Sequence, residues 1–97
     1  PRASFHGRFF LLQFFNPEIH TSRFGALVSR STAKSAARRN YIRRTMFRVL
    51  LDKERTLPHG DYLSIARKGI SEIPREVLAE DLGELLSGLA REAQRKK

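Results

Sequence analysis

The chain has 97 residues, 40% of them hydrophobic, which suits one small domain with a modest core and excludes disorder throughout. Nineteen Lys and Arg against ten Asp and Glu leave a net charge of +9, the balance of a protein that meets a polyanion. Cysteine is absent, which excludes a disulfide framework, a thiolate zinc site and a cysteine nucleophile and fits a reducing compartment.

The excess charge is confined to one half. Residues 1–50 hold ten Lys and Arg against Glu18 alone, whereas residues 51–97 hold nine of each sign. The longest apolar run, Phe9–Phe15 with Gln13 inside it, is far short of the ~20 residues that span a bilayer. Nothing resembles a signal peptide. The expectation is a cytoplasmic protein with no membrane contact. The chain begins at Pro1 rather than Met, which leaves room for structure upstream.

Arg8–Phe15 is rich in aromatics, too short for a stable helix and stopped by Asn16 and Pro17, so it reads as a strand. Phe10, Leu12 and Phe14 form its core face. Phe9, Leu11, Gln13 and Phe15 form a face that is only partly covered, on which aromatics are able to stack on unpaired bases. A loop through Asn16–Ser22 leads to a second strand, Arg23–Arg30. The shortness of that loop predicts an antiparallel pair.

Ser31 or Thr32 is expected to cap the helix that follows. A helix start attracts phosphate, and Arg30 and Lys34 beside it make the junction a candidate anion site. At 100° per residue, Ile42, Met46, Val49 and Leu50 fall on one stripe, with Arg39, Asn40, Arg43, Arg44 and Arg48 opposite. Arg39 with Arg43, and Arg44 with Arg48, repel one another at i, i+4 spacing. No acid lies between Glu18 and Asp52 to relieve them, so the compensating charge is expected from outside the chain. Guanidinium forks suit phosphate oxygens and stack on bases, which points to RNA or DNA; the alternative is a merely solvated basic face.

The helix is expected to end near Lys53 or Glu54, with a loop over Thr56–Gly60. Asp61–Arg67 alternates as a third strand and ends in a second basic corner, Arg67 and Lys68. Strand, helix and strand in succession allow the third strand to lie parallel to the second. From Ser71–Pro74 a last helix begins, with Leu78, Leu82, Leu85, Leu86, Leu89 and Ala93 at spacings of three and four. Residues 94–97 are expected to fray. His6, His20 and His59 stand apart, and no phosphate loop, nucleophile elbow or HExxH occurs, so neither a metal site nor a catalytic residue is predicted.

Arg23–Arg30 (RFGALVSR) followed by Ala36–Arg44 (AARRNYIRR) resembles the bacterial ribonuclease P protein subunit, a family with a strand of the type RLGLxVSKK and a helix opening AVxRNRxKR. Pro58–Arg67 (PHGDYLSIAR) is similar to its PxGYDLVVIAR strand. The resemblance implies an α/β (α+β sandwich) domain spanning residues 1–97, with a mixed sheet, a left-handed strand–helix–strand crossover and a C-terminal amphipathic helix. It implies that Arg38, Arg39, Asn40, Tyr41, Arg43, Arg44 and Arg48 grip the catalytic RNA. Phe9, Leu11, Gln13, Arg30, Lys34, Arg67 and Lys68 would line a cleft for the single-stranded 5′ leader of precursor tRNA. The polypeptide would be a non-catalytic monomer, with Mg²⁺ held by the RNA.

The chain departs from the pattern in several places. Tyr41 replaces a basic residue, Phe47 and Arg48 stand where Arg and Glu are usual, and Ser31 replaces a Lys. The family's N-terminal helix has no counterpart before Pro1. A structural RNA-binding protein of the ribosome with the same fold is the alternative function. A DNA-binding helix is disfavoured because no second helix precedes the basic one.

Overall fold

The computed structural model describes residues 3–95. In chain order these form β1 (Ala3–His6), β2 (Phe10–Phe15), β3 (Ser22–Leu27), α1 (Ala36–Lys53), a single 3-10 turn (Glu54–Thr56), β4 (Gly60–Ala66) and α2 (Arg75–Arg95). The sheet runs β1-β2-β4-β3. β1 and β2 are antiparallel with Phe5 opposite Leu12, β2 and β4 antiparallel with Leu12 opposite Ser64, and β4 and β3 parallel with Ser64 opposite Ala26.

This order corrects the expected pairing of the second and third of these strands. β4, the longest strand, inserts between β2 and β3, where both of its edges find backbone partners; Tyr62, Ser64 and Ala66 are buried on the helix-covered face and Leu63 and Ile65 half-buried on the outer one. The loop after β2 has only to step over one strand, a distance of about 10 Å that a few residues span. The parallel β3–α1–β4 crossover stands as expected.

Both helices pack on one face of the sheet. Phe10, Leu12, Phe14, Tyr62 and Ala66 share a core with Ile42, Met46, Val49 and Leu50 of α1 and Leu78, Leu82, Leu86 and Leu89 of α2. The apolar stripe of α1 therefore has the phase its sequence predicts, with Thr45 as an added buried member whose hydroxyl donates to the Tyr41 carbonyl at 3.1 Å. Phe47 is half-buried against the same core, which accounts for an aromatic at a position the resemblance gives to Arg. The remaining polar groups of the core are paired: the Ser64 hydroxyl donates to the Gly25 carbonyl at 3.2 Å and the Tyr62 hydroxyl to that of Pro58. Burial pushes the Tyr62 phenol above its ordinary value.

The Asp81 carboxylate of α2 accepts the Arg8 and Phe9 amides, each at 3.0 Å, and so fastens the β1–β2 turn to the helix layer. At α1 the cap is Ser35, whose hydroxyl accepts the Arg38 amide at 3.2 Å. Ser31 and Thr32 do not cap, because a turn closes before the helix begins: the Thr32 and Ala33 amides both donate to the Ser29 carbonyl. Helix α2 includes Gln94 and Arg95 of the expected tail; residues 96 and 97, like Pro1 and Arg2, lie outside the described residues.

At the far end of the sheet Arg23 makes a two-pronged ion pair with Asp61, at 2.6 and 2.7 Å, and Asn16 donates to the same carboxylate at 2.7 Å. The Arg23 hydrogen bonds first, and that of Asn16 second, hold the Asp61 carboxyl below its ordinary 3.8. A carboxylate stabilised in the fold contributes above its unfolded pKa, and the contribution fades as pH falls through the lower folded value. Asp61→Asn is therefore expected to lower the melting temperature at pH 7 by a few degrees at most, as exposed pairs do. The gap to the native protein should narrow as pH falls past the ordinary carboxylate value and close once it is below the lowered folded one. Thermal melts of both proteins from pH 7 downward check this.

Candidate nucleic-acid interface

Because β3 and β4 are parallel, their carboxyl ends lie at one edge of the sheet, and so do the loops that follow them and the start of α1. The Thr32 hydroxyl, donating to the Ala66 carbonyl at 3.3 Å, ties the first loop to the end of β4. Arg30 and Lys34 on one loop, Arg67 and Lys68 on the other, and Arg38 and Arg39 on the first turns of α1 thus form one basic end. All but the two helix residues, which are half-buried, are exposed. Arg43, Arg44 and Arg48 continue this charge along the outer side of α1.

Within the set, the side chains differ in what they already hold. The Arg38 guanidinium donates to the Ser71 carbonyl and, at 3.2 Å, to that of Ile73; it also stacks on the Tyr41 ring at 4.9 Å. Arg39 folds back on the Ala33 and Lys34 carbonyls at 3.0 and 2.8 Å. Arg43 donates to the Asn40 side-chain oxygen at 2.7 Å, so Asn40 orients a guanidinium rather than standing free. Arg44 and Arg48 are exposed. Among the described residues the ion pairs are Arg23–Asp61, Arg75–Glu76 and Arg95–Glu92, and no guanidinium of α1 is in them.

Two sequence-predicted residues are placed differently from the rest of the set. Charge alone groups Arg38 with the RNA-gripping side chains, but the free carbonyls of the loop after β4 capture it. It works as a strut between that loop and α1. Phe9 does not lie open for stacking: it is 9% exposed, belongs to the core cluster and has the Arg8 guanidinium over its ring at 5.1 Å. Leu11 and Gln13 do remain half-buried on the outer sheet face, beside Leu63 and Ile65 on β4 and an exposed Leu27 on β3.

An exposed phosphate contact and a strut respond differently to truncation. Arg38→Ala is expected to lower the melting temperature by several degrees, a partly buried charge-assisted bond being worth about 1.5–3 kcal/mol. It should leave the salt dependence of RNA binding unchanged, since no counterion-releasing contact is lost. Melts and a salt titration of binding measure the two effects separately.

Sequence reading misses β1, four residues long, and with it His6. The only signal is the apolar–polar alternation of Ala3, Ser4, Phe5 and His6. Among the described residues no three His, Cys, Asp or Glu side chains stand together to hold a metal ion, and no helix is long and apolar enough to cross a membrane.

A four-stranded mixed sheet, two helices on one face and unneutralised guanidiniums along one of them define a small basic α+β protein shaped to meet a polyanion. The chain belongs to the Ribonuclease P family, which matches residues 1–90. It is 29% identical over 89 residues to the ribonuclease P protein component of Coxiella burnetii, covering 92% of this chain and 74% of the relative. To the same component of an Azoarcus species it is 32% identical over 89 residues, with coverage of 91% and 73%. The fold superposes on the RNase P protein from Thermotoga maritima with a TM-score of 0.76, 28% identity and coverage of 87% and 82%. For the Staphylococcus aureus RNase P protein the TM-score is 0.78 at 24% identity, with coverage of 88% and 78%, a likeness of fold.

Proposed function

We propose that this chain is the protein subunit of ribonuclease P, with a role in tRNA processing, and that it binds the RNA subunit through the basic side of α1 and the 5′ leader of precursor tRNA on the outer sheet face. The observation that carries the reading is the run of Arg39, Arg43, Arg44 and Arg48, joined to Arg30, Lys34, Arg67 and Lys68 at the sheet edge and unneutralised within the described residues. Four guanidiniums on one rigid helix match phosphates spaced along a folded RNA, and each contact releases condensed counterions. Arg43, oriented by Asn40, meets its phosphate with part of its rotamer freedom already lost.

On the outer face, Leu11, Ile65 and Leu63 offer apolar surface to unpaired bases, while Gln13 supplies a hydrogen-bonding side chain. The basic residues at the edge then take the backbone of the strand. Bond cleavage belongs to the RNA in this reading, with Mg²⁺ ions held by the RNA; the polypeptide lowers the repulsion between two negatively charged RNAs and fixes their register. Its place is the cytoplasm, and its working form is one copy of the chain on the RNA.

Reconstitution tests this. Mixed with a bacterial RNase P RNA and a precursor tRNA bearing a 5′ leader, the protein is expected to lower the Mg²⁺ needed for 5′ maturation. Absence of stimulation at low salt would overturn the assignment, and recovery of ribosomal RNA alone with the native protein would replace it with a ribosomal role.

A further inference from the structure

We propose that His6 is a further RNA-binding residue, which acts with Arg67 to hold a phosphate of a single strand lying on the outer sheet face; the proposal rests on the RNA-binding reading above. The two side chains come from strands that are not neighbours. His6 ends β1, Arg67 follows β4, and β2 lies between them. An Arg67 N–H nevertheless reaches His6 Nδ1 at 3.1 Å, so the pair bridges the outer side of β2.

Chemistry fixes the state of the ring in this pair. A guanidinium only donates, so Nδ1 accepts, and the hydrogen of the neutral imidazole resides on Nε2. His6 Nε2–H and the remaining Arg67 N–H groups are then donors on one exposed ledge. Register places His6 at one end of the row His6, Leu11, Ile65, Leu27, which crosses all four strands on the outer face. Arg67 and Lys68 follow Ile65 just beyond the end of β4. Neither partner is in an ion pair among the described residues. Of the two helix-layer acids that line a cavity with His6, Asp81 is taken by the amides of Arg8 and Phe9, and Glu84 is exposed to solvent beside Arg91. A strand whose bases lie along Leu11 and Ile65 brings its phosphodiester to these donors. The bond from Arg67 to His6 also holds a long side chain ready for it.

The probe is a short single-stranded oligouridylate, its binding to the whole chain followed by fluorescence anisotropy. His6→Leu and Arg67→Ala are each expected to weaken binding about tenfold, the worth of one charge-assisted contact. If they act as a pair, the double variant should be within about threefold of Arg67→Ala alone, where independent sites would give about a hundredfold loss. His6→Gln, which keeps one acceptor and one donor, should restore binding to within about threefold of native. Melting temperatures should not move, since both residues are exposed.

Native affinity in His6→Leu, additive losses, or no rescue by Gln would overturn the proposal. So would a protein that binds RNase P RNA yet ignores the oligouridylate, and that result would leave the parent reading standing. A protein that binds neither RNA overturns both.

Discussion

Ile42→Asp is expected to leave the chain unfolded at pH 7. Ile42 is fully buried, at 0% exposure, in the centre of the α1 stripe between the sheet and α2. The substitution removes its branched hydrocarbon and puts a carboxylate where the described residues offer a wall of Leu, Met and Phe side chains. Losing the packing costs about 2–5 kcal/mol, and burying an unpartnered charge costs several more. A domain of this size has about 5–15 kcal/mol to lose. The buried carboxyl would be pushed above its unfolded pKa, so the charge part of the deficit is absent below about pH 4, where the group is neutral in both states, grows as pH rises and is complete only above the raised folded value. Circular dichroism at pH 7 should show a disordered chain, while Ile42→Val, at a cost of about 1 kcal/mol, should melt cooperatively. A folded Ile42→Asp protein would mean that the helix phase is wrong.

Gly60→Ala should be the next most damaging change, lowering stability by about 2–4 kcal/mol and the melting temperature by more than about 10 °C. Gly60 opens β4 at φ +153°, and a Cβ there would stand 2.3 Å from Phe14 Cε1 and 3.0 Å from the Phe15 carbonyl oxygen. Phe14 has nowhere to go, since it is 8% exposed and stacked on Tyr62 at 5.0 Å between centroids. The backbone is held as well, by the bond from the Gly60 amide to the Thr21 carbonyl at 2.9 Å. Gly69 provides the control: its φ is +85°, but nothing lies within 4 Å of its absent Cβ. Gly69→Ala should therefore cost only the conformational term, about 1 kcal/mol. Melts of the two variants side by side separate close approach from backbone strain.

Where the sequence is legible, one physical period rules. The Ile42, Met46, Val49 and Leu50 stripe, the alternation of Phe10, Leu12 and Phe14, and the Leu78–Leu89 series each follow from burying one face of a regular element. Strand order is not legible in this way. The alternation in β2 is satisfied by either neighbour, and nothing in it says that β4, the longest strand, takes the place with both edges paired. The cap passes from Ser31 or Thr32 to Ser35 because a turn closed by the Ser29 carbonyl consumes the residues between.

The candidate interface divides along the same line. That guanidiniums on the outer side of α1 find no acid within the chain is written in the absence of acids from Ser35 to Leu51. That Arg38 is instead taken by the carbonyls of Ser71 and Ile73 is not, because backbone acceptors carry no sequence label. Phe9 illustrates the opposite error: an aromatic at the right parity for the outer face is drawn into the core. His6 goes unseen because a four-residue edge strand gives too short a pattern to read.

The direct test of the central claim is the slope of log binding constant against log salt for RNase P RNA, compared between the native chain and the Arg43→Ala, Arg44→Ala double variant. If these guanidiniums are neutralised by RNA phosphates, the slope should fall by about two contacts, with affinity down about a hundredfold at low salt and the melting temperature unchanged. An unchanged slope would show that the basic side of α1 points away from the RNA, and the assignment of that helix as the RNA-binding element would fail with it.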